Sequence, residues 1–338
     1  MLRRRIIGKK DKDYSKEYFT MVSLEDNNQI TFGTSTYNGI HNLYWSIDNG
    51  STWNPQSSLP TTINSGQKIR FRRTAITTGA SSAIFSQYYP NGDSYRYSYF
   101  ATTKKVNVEG NIMSLIYGDD FAGRTVLEFT DFNKSVLGLD QILFYSLFRY
   151  SSNLYARIVD AGNLILPLTS FKASFSDGEV ECKYAYYGMF SQCKTLKVAP
   201  ELPATLLTEH CYRTMFYECT SLTTAPSILP AMNLTSACYI YMFSDCTSLE
   251  LAPELPARTL KFSDSWISTS YGRMFYNCSK LRYIKAMFTT TPSSYYTPDW
   301  VSGVSSTGVF VKNSAAAWTN TYGANAIPEG WTVQTASS

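Results

Sequence analysis

CYRTMFYECTSL, residues 211–222, returns as CYIYMFSDCTSL at 238–249 and as SYGRMFYNCSKL at 270–281. Each copy is centred on a Met-Phe pair, and a more divergent copy surrounds Met189-Phe190. In all four copies a tyrosine stands three residues before the methionine, a cysteine four residues after it and a leucine seven residues after it. The other positions vary. The repeated methionines, phenylalanines, cysteines and leucines are Met189, Phe190, Cys193, Leu196, Met215, Phe216, Cys219, Leu222, Met242, Phe243, Cys246, Leu249, Met274, Phe275, Cys278 and Leu281.

The spacing of these copies predicts a solenoid. The methionines lie 26, 27 and 32 residues apart, and each turn of a repeat protein buries its apolar residues only against its neighbours. We therefore predict that the repeated residues form the core. The YxxMFxxC segment has the apolar spacing of a short helix or helical turn. A proline-bounded segment follows it, as in LKVAPELPA at 196–204, which predicts one strand per turn.

The turns resemble the BspA-like leucine-rich repeats of bacterial surface proteins. In that family an aromatic-cysteine turn leads into a leucine and then into a strand that ends in LPA, and LPA stands here at 202–204, 229–231 and 255–257. The resemblance covers about residues 141–290. It implies a leucine-rich-repeat fold and a role in surface recognition.

The whole chain is predicted to be of mixed β and α/β class. Residues 15–120 hold short alternating runs such as NQITFGT between Asn-Gly and Ser-Gly turns, which predicts an antiparallel β-sandwich or barrel. Residues 121–290 are predicted to form a right-handed leucine-rich-repeat solenoid of about five turns. Residues 291–338 are predicted to form a small β-rich C-terminal cap over its open end.

All seven cysteines lie between residues 182 and 278. A disulfide ladder or a metal cluster would be the functional interpretations, but there is no CxxC pair, the number of cysteines is odd, and the chain has only two histidines. The interpretation we favour is that the four repeated cysteines are small apolar residues stacked inside the solenoid. No catalytic, cofactor-binding or metal site is predicted.

The positive charge is concentrated at the start of the chain. Residues 1–12 hold six bases and one acid and carry +5, whereas the remaining 24 bases and 25 acids leave the body at −1. The body is therefore not expected to bind nucleic acid directly. We expect the basic tail, residues 1–14, to be an assembly anchor that docks into an acidic groove on a larger particle. Binding to packaged nucleic acid or to a membrane surface is the less favoured alternative. Its predicted anchor residues are Arg3, Arg4, Arg5, Ile6, Ile7, Lys9 and Lys10.

No run of eighteen apolar residues exists to span a membrane. The basic start is followed by the polar stretch KKDKDYSKE rather than by an apolar segment, so no secretory signal is predicted. We expect the chain to be made in a cytoplasm and not to leave by the usual export route.

Two short motifs suggest enzymes. SIDNGSTW at 46–53 matches the Asp-box of sialidases and other carbohydrate-active proteins, but a single copy is a hairpin turn and brings neither an arginine cluster nor an acid-base pair. LIYGDDF at 115–121 resembles the YGDD turn of palm-type polymerases, whose paired carboxylates hold metals. Nothing else of that domain is visible, so Asp119 and Asp120 are interpreted as turn residues.

The function that these patterns favour is structural. We predict a non-enzymatic head or tail fibre of a bacteriophage that infects gut bacteria, located on the virion surface and forming a homodimer or homotrimer. Its partners would be other virion proteins at the N-terminus and a protein or glycan of the host surface. A bacterial cell-surface adhesin is the alternative, and a glycan-processing enzyme is the less favoured third possibility.

The candidate recognition face consists of positions that vary between turns. Four of them directly follow the repeated leucines, and two glutamates lie further along the predicted strands. The alternative is that these side chains are only solvated. The candidate residues are Lys197, Glu201, Thr223, Glu250, Glu254 and Arg282.

Overall fold

A computed structural model of the chain describes residues 12–34, 43–74, 86–87, 96–132, 143–149, 155–260 and 268–336. The helices in these ranges are α1 (Ser114–Tyr117) and two 3-10 turns at Tyr14–Lys16 and Gln56–Ser58. The strands are β1 (Phe19–Ser23), β2 (Asn28–Thr34), β3 (Leu43–Ser46), β4 (Asn54–Pro55), β5 (Thr61–Ile63), β6 (Lys68–Arg73), β7 (Ser86–Gln87), β8 (Arg96–Thr102), β9 (Lys105–Asn111), β10 (Leu127–Phe129), β11 (Arg157–Ile165), β12 (Lys172–Phe175), β13 (Gly178–Glu181), β14 (Tyr283–Ala286), β15 (Val309–Asn313) and β16 (Thr332–Ala336).

The first part of the chain forms two sheets with a shared core. A six-stranded sheet has the order β11-β9-β1-β6-β3-β4, and a four-stranded sheet has the order β5-β2-β8-β7. Alternate residues of β1 and β6 point to the same side, as the period of a strand requires. Phe19 and Phe71 lie on that side and are fully buried. Their rings contact Phe100 of the second sheet, with centroids 5.4 and 4.8 Å from it.

The six-stranded sheet extends beyond the predicted domain boundary at residue 120. Its edge strand β11 runs parallel to β9 and therefore comes from the segment assigned to the repeats. Ala161 of β11 donates its backbone N–H to the carbonyl oxygen of Val198 at 2.9 Å. The first sheet and the repeats are thus joined by backbone hydrogen bonds.

The predicted fold class is wrong. The structure is mostly β, with several small separate sheets, and it is not a mixed α/β leucine-rich-repeat solenoid. The one α-helix of the described residues, α1, has four residues and lies outside the repeats. After the first three repeats the expected strand is reduced to isolated bridges between single residues, such as Val198–Thr224 and Leu206–Asn233, whereas the fourth is followed by β14.

Left-handed residues explain why the YxxMFxxC segments are not helical. In the second repeat, His210, Thr214 and Glu218 have φ of +58°, +55° and +55°. The residues directly before the methionine and before the cysteine have positive φ in all four repeats. A left-handed residue cannot continue a right-handed helix and costs an L-residue about 1–2 kcal/mol. The chain therefore makes a series of four-residue turns instead.

Successive repeats nevertheless lie on one another as layers, which we number by residue range as the first (184–196), second (210–222), third (237–249) and fourth (269–281). Phe190 donates its backbone N–H to the carbonyl oxygen of Met215 in the next layer at 3.0 Å. Other residues of a layer form backbone hydrogen bonds within it. Cys193, for example, donates its backbone N–H to the carbonyl oxygen of Phe190 at 3.0 Å. The buried rings form two columns, Tyr186–Tyr212–Tyr239–Tyr271 at centroid spacings of 5.8 Å and Phe190–Phe216–Phe243–Phe275 at 5.3 to 5.7 Å.

The C-terminal segment, predicted as a separate cap, continues these layers. Phe275 donates its backbone N–H to the carbonyl oxygen of Trp300 at 2.8 Å. The Trp300 ring is fully buried and packs on Tyr271 and Phe275. Strands β14, β15 and β16 form a parallel three-stranded sheet alongside. The backbone pattern of the repeats therefore extends past residue 291.

None of the helices in the described part of the chain has both the length and the apolar character needed to cross a membrane.

Candidate recognition surface

The interior of the layers contains the repeated residues. Every repeated methionine, phenylalanine, cysteine and leucine of the four layers is fully buried. The repeated tyrosines are at most 1% exposed. Because the same residues occupy the same interior positions in each layer, only the remaining positions are available to a partner.

The repeated cysteines form hydrogen bonds between layers. All seven cysteines are buried and none is in a disulfide. The thiol of Cys219 donates to the carbonyl oxygen of Phe190 at 3.1 Å, and Cys246 and Cys278 make the equivalent bond at 3.1 and 3.0 Å. Burial raises the pKa of these thiols. A directed contact is therefore added to the packing role that the sequence predicted.

The four variable residues after the repeated leucines are all exposed. They follow one another along the side of the layers. Thr223 donates its backbone N–H to the carbonyl oxygen of Lys197 at 3.0 Å, and Arg282 does the same to Glu250 at 3.0 Å. These four residues, which we call the exposed row, are therefore neighbours in two pairs, Lys197 with Thr223 and Glu250 with Arg282.

Most charges of the candidate recognition face have partners on the protein. Arg282 contacts the Glu250 carboxylate at 2.6 Å and lowers the pKa of that carboxyl. Glu254 pairs with Lys285 at 3.3 Å. The Glu201 carboxylate accepts a hydrogen bond from the Ser227 hydroxyl at 2.8 Å. Such exposed pairs contribute little stability, but they neutralise much of the charge that a ligand would meet.

A second surface lies on the turn side of the layers. It consists of Tyr145, Tyr184, Tyr187, His210 and Arg213, which we call the tyrosine cluster. The rings of Tyr145 and Tyr187 stack with centroids 4.8 Å apart and planes 10° from parallel. The rings of Tyr184 and His210 stack with centroids 4.8 Å apart and planes 4° from parallel. All five side chains are partly exposed.

The two stacks of the tyrosine cluster are joined to each other. The Tyr184 and Tyr187 rings are 5.9 Å apart, and the Arg213 guanidinium lies 5.9 Å from the centre of the Tyr187 ring. Arg213 Nη1 is 3.4 Å from His210 Nδ1. Since arginine can only donate, His210 accepts at Nδ1 and carries its proton on Nε2. Burial, followed by the charge of Arg213, lowers the pKa of His210.

The tyrosine cluster was not predicted from the sequence. Its members come from different copies of the repeat, at positions where the residue type differs from copy to copy, and the copies meet only because the layers stack. The one available signal was position: Tyr184 and His210 both stand five residues before the methionine, and Tyr187 and Arg213 both stand two residues before it.

The two enzyme-like motifs meet on the six-stranded sheet. Within the Asp-box turn, the Asp48 carboxylate accepts from the Ser46 hydroxyl at 2.6 Å and from the Thr52 backbone at 2.9 Å, and the Ser46 hydrogen bond above all lowers its pKa to about 2. Trp53 packs beneath the turn, with the Arg72 guanidinium 4.3 Å from its ring centre. Arg72 forms an ion pair with Asp119 of the YGDD motif.

Asp119 is held in place by protein groups. Its carboxylate also accepts a hydrogen bond from the Tyr18 hydroxyl at 2.7 Å. Burial works against its ionisation, but the hydrogen bonds from Arg72 and Tyr18 outweigh burial and lower its pKa. Asp120 pairs with Arg124 at 2.6 Å. These contacts give both aspartates structural partners at the loop after α1.

The remaining predicted site residues have no described position. Arg3, Arg4, Arg5, Ile6, Ile7, Lys9 and Lys10 lie outside the described residues. Within the ranges that are described, no three His, Cys, Asp or Glu side chains are grouped so that they could hold a metal ion.

Comparison with protein-family models, with curated proteins and with solved structures found no match to this chain.

Proposed function

We propose that this chain is a non-enzymatic attachment protein of a virion, a head or tail fibre whose layered repeats face a protein or glycan of the host surface. The observation that supports recognition is the division of each layer into a fixed interior and a variable exterior. Interior positions repeat the same residues, whereas exterior ones hold different side chains at regular spacing.

This division suits a recognition surface because the layers are joined largely through backbone groups. The bonds from Phe190 to Met215 and from Phe216 to Met242 involve no exterior side chain. Exterior residues can therefore change without loss of the contacts between layers. Repeat proteins use this property to build extended binding surfaces.

The state of the cysteines supports a non-enzymatic role. A nucleophilic cysteine reacts as the thiolate in a partly exposed position. Here burial raises the pKa of Cys182 and Cys193 to about 12, and Cys219 donates its thiol proton to a backbone carbonyl. These thiols are therefore poorly suited to nucleophilic chemistry.

The placement on a virion rests on the sequence, namely the resemblance of the turns to surface-protein repeats and the basic first twelve residues. We propose that Arg3, Arg4 and Arg5 bond to carboxylates of a capsid or tail protein while Ile6 and Ile7 fill an apolar pocket. The chain would act there as a homodimer or homotrimer.

The decisive experiment is mass spectrometry of purified virions, which should contain this chain. A variant of this chain that lacks residues 2–10 should keep the melting temperature of the full chain but should be missing from particles. Particles that carry the truncated chain at full occupancy would place the anchor elsewhere, and virions without the full chain would overturn the proposed function.

A further inference from the structure

The tyrosine cluster occupies positions where the layers do not require large side chains. Five residues before the methionine, the second layer has His210 and the third has Ala237. Two residues before it, the fourth layer has Gly272 where the first has Tyr187. Since at least one layer has a small residue at each of these positions, stacking of the layers does not require the rings of the first two layers.

The cluster contains an arginine with unused hydrogen-bonding capacity. Among the described residues the Arg213 side chain makes one hydrogen-bond contact, from Nη1 to His210 Nδ1 at 3.4 Å, so its Nη2 has no partner there. Its Nε also has none but is buried. No ion pair of the described residues involves Arg213, and the nearby Glu209 contacts Lys183 at 3.3 Å. The guanidinium is therefore a positive donor group beside a set of rings, without a carboxylate of its own.

The ring edges and polar atoms provide the other half of a binding site. Stacking occupies ring faces within the Tyr145–Tyr187 and Tyr184–His210 pairs. Tyrosine combines an apolar ring with a hydroxyl, and the Nε2–H of His210 adds a donor, 3.8 Å from the Glu209 carboxylate. A ligand at this site would meet apolar ring carbons next to several hydrogen-bond donors.

The size of the cluster argues against a protein partner. A stable protein interface involves about 20–30 residues on each side and has an apolar centre. The cluster has only five side chains, all of them partly exposed. A ligand of a few rings matches this extent better than a folded surface does.

We propose that the tyrosine cluster is a binding site for an acidic oligosaccharide. The carboxylate of a uronic or sialic acid unit pairs with the Arg213 guanidinium, since a planar guanidinium matches a carboxylate in geometry and charge. The apolar side of a sugar ring packs against the ring edges of Tyr187 and Tyr184, and its hydroxyls bond to the Tyr187 hydroxyl and to His210. This inference rests on the proposed recognition function and names its ligand class.

The test uses the full chain and an array of carboxylated oligosaccharides with neutral counterparts of the same length. The best carboxylated probe should bind at least tenfold more tightly than its neutral counterpart in calorimetry. Arg213→Gln should remove that preference, and Tyr187→Ala should weaken both probes. Arg124→Gln, in the loop after α1 and outside the repeats, where Arg124 pairs with Asp120, is the matched control and should bind as the unchanged chain does.

Tyr187→Phe keeps the ring and serves as a control in case the alanine variant fails to fold. It should retain most of the affinity. Binding with no acidic preference, a preference that survives Arg213→Gln, or no binding tighter than about 1 mM would overturn the site. Binding to an acidic peptide but to no sugar would also overturn it.

Failure of the site and failure of the proposed function can be told apart. Virions that contain the chain, and whose host binding is unaffected by Arg213→Gln and Tyr187→Ala, would remove this site and leave the attachment function. An acidic-sugar preference that depends on Arg213, in a chain absent from virions, would leave the site and remove the virion function.

Discussion

The thiol of Cys219 and the backbone carbonyl of Phe190 form a hydrogen bond across two layers, with 3.1 Å between sulfur and oxygen. The same bond recurs between Cys246 and Phe216 and between Cys278 and Phe243. A thiol is a weak donor, but in a buried site no water competes with it. This bond links the cysteine, which the sequence repeats, to the stacking of the layers.

Replacing Cys219 should therefore lower the free energy of unfolding more than replacing a buried cysteine that makes no hydrogen bond. Cys182 is also fully buried, and its thiol makes no hydrogen bond among the described residues. We expect Cys219→Ala to lower the free energy of unfolding by about 0.5–1.5 kcal/mol more than Cys182→Ala does, the usual contribution of one hydrogen bond. Urea denaturation of both variants measures the difference. Equal losses would show that the cysteine acts through packing alone.

Phe216 is at the centre of the phenylalanine column. Its ring lies 5.5 Å from Phe190 and 5.3 Å from Phe243, nearly parallel to both. We expect Phe216→Ala to cost about 3–5 kcal/mol, because it removes a fully buried ring and leaves a cavity. Phe216→Leu, which keeps much of the volume, should cost less. A neutral alanine variant in a denaturation experiment would contradict the role of the column.

Alkaline pH should destabilise the protein through its buried thiols. Burial raises the pKa of Cys182, Cys193 and Cys238 from 9.0 to about 12. Above pH 9 the unfolded chain loses these protons while the folded chain keeps them, so the unfolded state binds fewer protons and stability falls as pH rises. Each thiol should contribute about 1.4 kcal/mol per pH unit in this range.

Unfolding curves at pH 8, 9 and 10 measure that slope, and Cys182→Ala is the control. The variant has one fewer thiol that titrates differently in the folded and unfolded states. Its free energy of unfolding should therefore fall less steeply between about pH 9 and 10 than that of the unchanged chain, and the difference should correspond to one proton. An identical slope in the variant would mean that Cys182 titrates normally in the folded protein.

The sequence predicted the interior of the layers better than their backbone. Tyr212, Met215, Phe216 and Cys219 are spaced i, i+3, i+4 and i+7, which is the apolar pattern of an amphipathic helix. A series of four-residue turns brings the same residues to one side, so spacing alone could not separate the two. The left-handed φ of Thr214 and of its equivalents decides the outcome, and most of these residues are not glycine.

The tyrosine cluster could not be predicted for a different reason. The predicted face relied on variability along the strand side, and the structure shows that Arg282 and Glu250 there pair with each other. On the turn side, Tyr187 and Arg213 belong to different repeats and meet only through stacking. A residue's neighbour in the adjacent layer is about 26 positions away, beyond any local pattern.

The left-handed positions give a final test of the turn geometry. Thr214 is β-branched and has φ +55°, whereas the first layer has Gly188 with φ +58° at the equivalent position. Since glycine adopts this conformation without steric cost, Thr214→Gly should leave the free energy of unfolding unchanged or raise it by up to about 1 kcal/mol. Thr220, in the same repeat, does not have a positive φ, so Thr220→Gly should lower the free energy of unfolding by about 1 kcal/mol through backbone entropy.

The reverse change, Gly188→Thr, should lower the free energy of unfolding by about 1–2 kcal/mol, and its added Cβ would lie 3.2 Å from the Ser146 hydroxyl oxygen. Thermal and urea denaturation of the three variants measures their free energies of unfolding. Equal losses for Thr214→Gly and Thr220→Gly would mean that the segment before Met215 does not turn through a left-handed residue.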